Sequence, residues 1–298
     1  MGWKCVAMLF ALCLSTNLVR AQNEPSQPHQ FPLVDQMLQP QFTDPDVQDY
    51  RYYPLHADPV KRAREILEAS ARAYRGAPAL RDTITYVVRA PGAANESKTL
   101  EYGFGAGADA FVKDPLLEAV AVGDKMFLTR SDAPKTYVAM PYHGDFGATL
   151  NGIAGDQGSL LEPPQLAMRT GKKLDDWIDA LRFKLLAPPL RVLDAEQIRL
   201  RRGKYVDEIR FAAPNGMVVV RIDSATHLFT LLAVEMRPPG ASKDQAIHID
   251  ATFAPQVLPS AAGVVHFEPG DRTAVPSPAG LGTKSPGAPA PGKSARNY

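Results

Sequence analysis

Residues 204–236 read KYVDEIRFAAPNGMVVVRIDSATHLFTLLAVEM, and residues 246–253 read AIHIDATF. Short runs of β-branched and aromatic residues alternate here with turn-forming residues, which is the pattern of an antiparallel meander. The pair Asn215-Gly216 can supply the two positive φ angles of a type I′ turn, so we expect a tight hairpin at this point. The stretch therefore predicts a β-sheet and indicates no catalysis.

The faces of these strands differ in composition. In AIHIDATF apolar and polar residues alternate, as in a strand with one face in water. Residues 217–223 and 228–236 are instead apolar on both faces, and strict alternation places Phe229 and Leu231 on the face opposite Leu232. Both faces must therefore be covered, either by helices and a loop, or by helices on one side and a ligand cavity on the other.

An amphipathic helix comes before the strands. Asp58 is a suitable N-cap, Pro59 suits the first helical position, and apolar residues then recur at three- and four-residue steps until Gly76. Strand-like runs follow at residues 83–89, 99–104, 110–112, 117–122, 126–130, 136–142 and 197–200. Further helices are predicted over residues 145–153, 165–168 and 173–186. The gaps between most runs are too short for crossover helices, so neighbouring strands should be antiparallel.

The ends of the chain differ from its middle. The chain has 298 residues, 45% hydrophobic and 22% charged, which suits one globular domain with polar ends. Residues 1–21 carry an early lysine, an apolar run and a V-x-A ending, which predicts a secretory signal peptide, either cleaved or retained. Residues 22–56 are expected to form an extended polar leader and residues 269–298 a disordered Pro/Gly-rich tail. The folded domain is thus expected at residues 57–268, in a periplasmic or extracellular protein.

Cysteine content and charge exclude some classes of site. Both cysteines, Cys5 and Cys13, lie in the predicted signal, so the exported chain should have no disulfide and no thiolate chemistry. Removal of Lys4 and Arg20 with the signal leaves 31 basic residues (33 minus 2) against 32 acidic ones, a formal charge of −1. No basic stripe is evident, which argues against a nucleic-acid partner.

Residues with possible catalytic roles are few. His248-x-Asp250 puts an imidazole and a carboxylate on one strand face, but two ligands do not make a metal site, and a polar outer face is the favoured interpretation. Gly103, Gly105 and Gly107 approach a phosphate-loop spacing without the helix that should follow, so a bulge or bend is favoured. We expect no catalytic residue, no metal and no cofactor. A hydrolase with an unrecognised site is the alternative.

Three stretches resemble the LolA-like superfamily of exported proteins, which includes periplasmic lipoprotein carriers, related sensors and predicted periplasmic proteins of unassigned function. They are ILEASARAYRGAPAL with the following TITYVVR, AVAVGDKMFLTRSDAPKTYVAMP, and VVVRIDSATHLFTLLAVEM. Together they span residues 58–267. Within the superfamily, the chain resembles the predicted periplasmic proteins of unassigned function more than the carriers. The resemblance implies an α+β fold, with a curved antiparallel sheet as an incomplete β-barrel, helices over its concave face, and an apolar cavity for acyl chains. The carriers' gating arginine has no motif match in this chain and is not carried over.

From these patterns and the resemblance we expect a monomeric, non-enzymatic binding protein that holds an apolar chain of a lipid or lipoprotein. The alternative within binding is a sensor or scaffold that contacts envelope proteins, and the cluster Tyr50, Tyr52 and Tyr53 is a candidate docking patch. The candidate cavity residues are apolar and lie on the predicted strands. They are Phe104, Met126, Leu128, Val218, Val220, Ile222, Phe229 and Leu231.

Overall fold

The computed structural model describes residues 58–147, 149–150, 164–169, 186, 189–201, 203–237 and 245–276. Several predicted features lie outside these residues: the signal peptide, the leader with its tyrosine cluster, all but the last residue of the helix at 173–186, and the tail after residue 276. In the described part, no helix is long and apolar enough to cross a membrane.

Two helices and thirteen strands have defined bounds in the described part. The helices are α1 (Pro59–Gly76) and α2 (Pro164–Arg169). The strands are β1 (Ala79–Arg89), β2 (Glu96–Phe104), β3 (Ala110–Lys113), β4 (Leu117–Val122), β5 (Lys125–Arg130), β6 (Thr136–Pro141), β7 (Arg191–Arg199), β8 (Tyr205–Ala213), β9 (Gly216–Asp223), β10 (Phe229–Met236), β11 (Ile247–Phe253), β12 (Gln256–Leu258) and β13 (Thr273–Val275).

The strands form one open sheet in the order β13-β6-β5-β4-β3-β2-β1-β11-β10-β9-β8-β7, with β12 paired to β1. β13 runs parallel to β6, and the other pairs with a defined register are antiparallel. The predicted α+β class is confirmed, since the sheet is antiparallel-rich and does not close, as in an incomplete barrel. β13 also shows that hydrogen bonding continues beyond residue 268, where the folded domain was expected to end.

Contacts divide the chain into two compact units, and α1, β1, β2 and β11 contribute residues to both. Unit 1 contains Met1–Ser70, Val87–Ser97 and Ile178–Thr252. Unit 2 contains Ala71–Tyr86, Lys98–Trp177 and Phe253–Tyr298. The predicted meander falls mainly in unit 1, and the strand runs between residues 98 and 142 fall in unit 2.

The hairpin between β8 and β9 in unit 1 is present, but the predicted type I′ turn at Asn215-Gly216 is wrong. Ala213 pairs with Gly216, so the two loop residues are Pro214 and Asn215, and neither has a positive φ. Gly216 is instead the first residue of β9, where an added Cβ would collide with the backbone carbonyl oxygen of Glu235 and would lie 2.7 Å from Cδ2 of Leu186. Glycine occupies this position because of close packing, not because of turn geometry.

The predicted strict alternation along β10 is also wrong. Phe229 pairs with Ile222 whereas Leu231 pairs with Arg221, so the register shifts at Thr230. A shift of one residue is a β-bulge, which moves the following side chains to the other face. Phe229 therefore shares a face with Ile222, and Leu231 lies on the opposite face.

Asp223 organises the turn between β9 and β10. Its Oδ1 accepts hydrogen bonds from the backbone N–H groups of Ala225 at 3.0 Å and Thr226 at 2.8 Å. Its Oδ2 lies 2.7 Å from Nζ of Lys204. Burial acts to raise the pKa of Asp223, but the Lys204 ammonium and the turn donors outweigh it and lower that pKa to about 2. His227 completes the turn with a φ of 59°.

One face of β3–β6 in unit 2 is covered by the chain that follows β12. Val264 and Val265 pack against Ala79 and Val120 there. The ring of Phe267 stacks on Phe127, with 4.3 Å between the centroids. This segment fixes one side of unit 2, so the other side is the one available to the helices.

Candidate functional site

Strand register brings three of the candidate cavity residues, Phe104, Met126 and Leu128, to one face of unit 2. Residues directly opposite on paired strands point to the same face. One cross-strand row contains Phe104, Ala110, Ala121 and Met126, and the next row contains Tyr102, Val112, Ala119 and Leu128. All eight side chains are buried, with exposed fractions of 0–4%. We call this set the Phe104 face.

Side-chain size varies along the Phe104 face. The centre, on β3 and β4, holds the small residues Ala110, Ala119 and Ala121, with Val112 beside them. Large side chains stand on both flanks, with Phe104 on β2 and Met126 on β5. The middle of the Phe104 face is therefore lower than its two flanks.

Arg169 at the end of α2 attaches this helix to the Phe104 face. Its guanidinium carbon lies 3.9 Å from the centroid of the Phe104 ring, a cation–π contact. Its Nη1 donates to the carbonyl oxygens of Tyr74 and Ala77 at 3.0 Å each, and its Nη2 donates to that of Gly105 at 2.8 Å. Burial lowers the pKa of Arg169 from its ordinary value. The arginine thus joins α2, the end of α1 and β2.

No pattern in the sequence indicated a role for Arg169. The pair Pro163-Pro164 correctly predicted that a helix begins near residue 164. However, an arginine at the end of a short helix belongs to no motif, and its partners lie 64 to 95 residues away in the chain. Such a contact becomes visible only in three dimensions.

Several buried polar atoms in unit 2 have no hydrogen-bond partner within the described structure. They are Nε2 and Oε1 of Gln165, Nε of Arg169, the Tyr102 hydroxyl oxygen and Oδ2 of Asp82. Gln165 and Tyr102 have exposed fractions of 0%. Buried polar groups in proteins nearly always have partners, so each of these atoms is able to form a hydrogen bond with a molecule that reaches it.

Asp82 and Tyr102 form a buried carboxyl–phenol pair in this region. Oδ1 of Asp82 accepts a hydrogen bond from the backbone N–H of Ala254 at 2.7 Å. Burial raises the pKa of Asp82 to about 6, while the hydrogen bond from Ala254 and the nearby dipole of the Tyr102 hydroxyl oppose the rise. The phenol lies close enough to influence the carboxyl without reaching the geometry of a full hydrogen bond. Burial likewise raises the pKa of Tyr102 well above its ordinary value.

Four candidate cavity residues lie on one face of unit 1. They are Val218, Val220, Ile222 and Phe229, each with an exposed fraction of 0%. Asp207 pairs with Ile222 and so lies on this face, and it accepts an ion-paired hydrogen bond from Arg62 of α1 at 3.2 Å. The first part of α1 therefore covers one end of this apolar face.

Leu231 does not join the other unit 1 candidates. It packs on the opposite face with Met217, Val219 and Ala233. That face also carries the buried pair between Nε of Arg221 and Oε2 of Glu208, 2.7 Å apart. This face therefore combines an apolar cluster with a buried ion pair, whereas the face that carries Val220 is apolar except at the end where Asp207 lies.

Among the residues considered for catalysis, Asp250, Gly103 and Gly107 have structural roles in the described part of the chain. Asp250 forms an ion pair with Arg89 at 2.5 Å. Gly103 packs closely, since an added Cβ would lie 2.6 Å from the Leu80 carbonyl oxygen, and Gly107 has a φ of 59° in the turn before β3. The bend between strands is therefore confirmed for these glycines. Among the residues that the structure describes, no group of three or more His, Cys, Asp or Glu side chains is placed to hold a metal ion.

No family model matches the chain, and no curated protein matches it. Among solved structures, the chain is similar to a LolA superfamily protein, NE2245 from Nitrosomonas europaea, at 9% identity and a TM-score of 0.29, over 66% of this chain and 94% of that one. It is similar to LprF from Mycobacterium bovis at 13% identity and a TM-score of 0.32, over 71% and 98% of the two chains.

A third similar structure is the MucA/MucB complex of Pseudomonas aeruginosa, at 14% identity and a TM-score of 0.30, over 66% of this chain and 58% of that one. One of these three structures is described as a LolA superfamily protein, the superfamily that three stretches of this sequence resemble.

Proposed function

We propose that this chain is an exported, non-enzymatic protein that binds an apolar chain of a lipid or lipoprotein. The observation that carries the proposal is the Phe104 face, where two cross-strand rows of mainly apolar, buried side chains begin beside Arg169 of α2. Export through residues 1–21 belongs to the same proposal, because their pattern is that of a secretory signal.

The Phe104 face has a suitable shape and chemistry. Ala110, Ala119 and Ala121 leave its middle low, and Phe104 and Met126 border it. Ten methylenes moved from water to such a surface would gain about 8 kcal/mol. The cost of association reduces this gain, so we expect binding no tighter than micromolar.

To reach the Phe104 face, the apolar chain of the ligand has to displace the protein segment that covers it. The eight side chains of the Phe104 face have exposed fractions of at most 4%, so the space above them is already filled. Local opening of a covering element costs less than global unfolding, and a ligand that binds the open form shifts the population toward it. We therefore expect binding to accompany a change in hydrogen-exchange protection of α2.

Uptake of the uncharged fluorophore N-phenyl-1-naphthylamine tests the proposal. Ala119→Leu fills the low centre of the Phe104 face, whereas the matched variant Val120→Leu enlarges the next side chain, which packs in the cluster on the opposite face. Overpacking costs both variants about 1–3 kcal/mol of stability. We expect Ala119→Leu to weaken uptake at least tenfold and Val120→Leu to leave it unchanged. Equal uptake by the two folded variants would contradict the proposal.

A further inference from the structure

We propose that Gln165 and Arg169 of α2 bind the oxyanion head of an amphiphile whose apolar chain lies on the Phe104 face. The inference rests on the proposed function and names the class of ligand, an apolar chain that ends in a carboxylate or a phosphate ester. The experiment below separates the failure of this inference from the failure of the proposed function.

Gln165 is the first reason. Its side chain is fully buried, and within the described structure neither its Nε2 donor nor its Oε1 acceptor has a hydrogen-bond partner. A buried amide without partners has lost its bonds to water and gained nothing in exchange. The glutamine is therefore placed to serve a molecule that comes to the site, and its two atoms can donate to an oxyanion and accept from a protonated head.

Arg169 is the second reason. It lies one turn after Gln165, on the same face of α2. Its Nη atoms are occupied by neutral carbonyl oxygens, its Nε donor is buried without a partner, and no carboxylate among the described residues forms an ion pair with it. Its positive charge is thus not balanced by the described residues. An oxyanion that accepts from Nε would supply both the missing hydrogen bond and the charge.

The position of Arg169 connects such a head to the apolar surface. Its guanidinium lies on the Phe104 ring, which begins the cross-strand row that continues through Ala110 and Ala121 to Met126. The row crosses four strands and therefore spans about 14 Å. This is close to the length of an extended chain of about twelve carbons.

The test is displacement of N-phenyl-1-naphthylamine from the full chain by four twelve-carbon amphiphiles: dodecanoate, dodecyl phosphate, dodecan-1-ol and dodecyltrimethylammonium. We expect at least one oxyanion to bind about tenfold tighter than the alcohol, and the ammonium to bind most weakly. The tighter oxyanion identifies the head. In Gln165→Leu the oxyanion should lose about tenfold in affinity while the alcohol changes less than threefold. Met168→Leu, a buried apolar change in the same helix, is the matched control and should alter neither.

Different failures have different meanings. If all four amphiphiles bind equally and Gln165→Leu changes none of them, the head site is refuted while chain binding stands. If none displaces the fluorophore, the proposed function fails. Loss of an unpartnered amide should not prevent folding. Should Gln165→Leu nevertheless not fold, Arg169→Lys takes its place, since lysine keeps the charge but lacks the Nε donor. An unchanged preference for oxyanions in that variant would overturn the inference.

Discussion

Replacement of Asp82 by asparagine should change how the stability of the protein depends on pH. The carboxyl is buried, and its pKa is raised from 3.8 to about 6, chiefly because burial disfavours its charged form. At a pH between these two pKa values, Asp82 is protonated in the folded protein and has released its proton in the unfolded chain. The free energy of unfolding therefore falls as pH rises from about 4 to about 6. The difference of about two pKa units corresponds to about 3 kcal/mol.

Asp82→Asn keeps an oxygen that can accept from the Ala254 N–H and removes the charge. The variant should match the parent protein at pH 4 and exceed its unfolding free energy by up to about 3 kcal/mol at pH 7.5. The neighbouring phenols of Tyr86 and Tyr102 stay neutral in this range, because burial raises the pKa of each. Urea titrations at pH 4, 5, 6 and 7.5 measure the difference.

Asp132→Asn is the control for this experiment. Asp132 is exposed, and its hydrogen bond with Arg130 lowers its pKa. The stability that Asp132 contributes is therefore lost as pH falls, whereas the destabilisation caused by Asp82 appears as pH rises. A stability difference between Asp82→Asn and the parent that stays constant from pH 4 to 7.5 would refute the assignment of a destabilising buried charge to Asp82.

Two further predictions concern close packing and a buried ion pair. Gly103→Ala should lower the free energy of unfolding, measured in urea, by about 2–3 kcal/mol, because its Cβ would lie 2.6 Å from the Leu80 carbonyl oxygen. Gly76→Ala is the control, since a Cβ at Gly76 would have nothing within 4 Å. Equal stability of the two variants would contradict the packing argument. Arg221→Met removes one of the two arginines bonded to the buried Glu208 carboxylate, while Arg210 stays bonded to its other oxygen, so the loss should be about 1–2 kcal/mol. In the Glu208→Met background the same change should cost less than half as much, and an equal cost would refute the coupling.

Much of the sheet could be predicted from the sequence because strands and turns leave local signals. The runs between residues 83 and 142 have β-branched and aromatic residues separated by turn formers, and all of them are strands in the structure. β12 and β13 were not predicted, since three residues in a segment rich in proline and glycine carry no measurable alternation.

Features that depend on distant contacts could not be predicted. The loop at Pro214-Asn215 and the bulge at Thr230 are decided by how the strands pair, and each moves the pattern by a single residue. The need for glycine at residue 216 is set by the Glu235 carbonyl oxygen on the neighbouring strand β10 and by Leu186, thirty residues earlier in the chain. For the candidate site, sequence patterns placed Phe104, Met126 and Leu128 on strands, and register then put them on one face.

Native mass spectrometry of the protein purified gently from the cells that produce it tests the central claim most directly. We predict an additional mass, carried by the parent protein and by Val120→Leu, that corresponds to a bound amphiphile with an apolar chain. Ala119→Leu, which fills the centre of the Phe104 face, should carry much less of it. A parent protein that appears only at its own mass, and that takes up no added dodecanoate or dodecan-1-ol, would contradict the account.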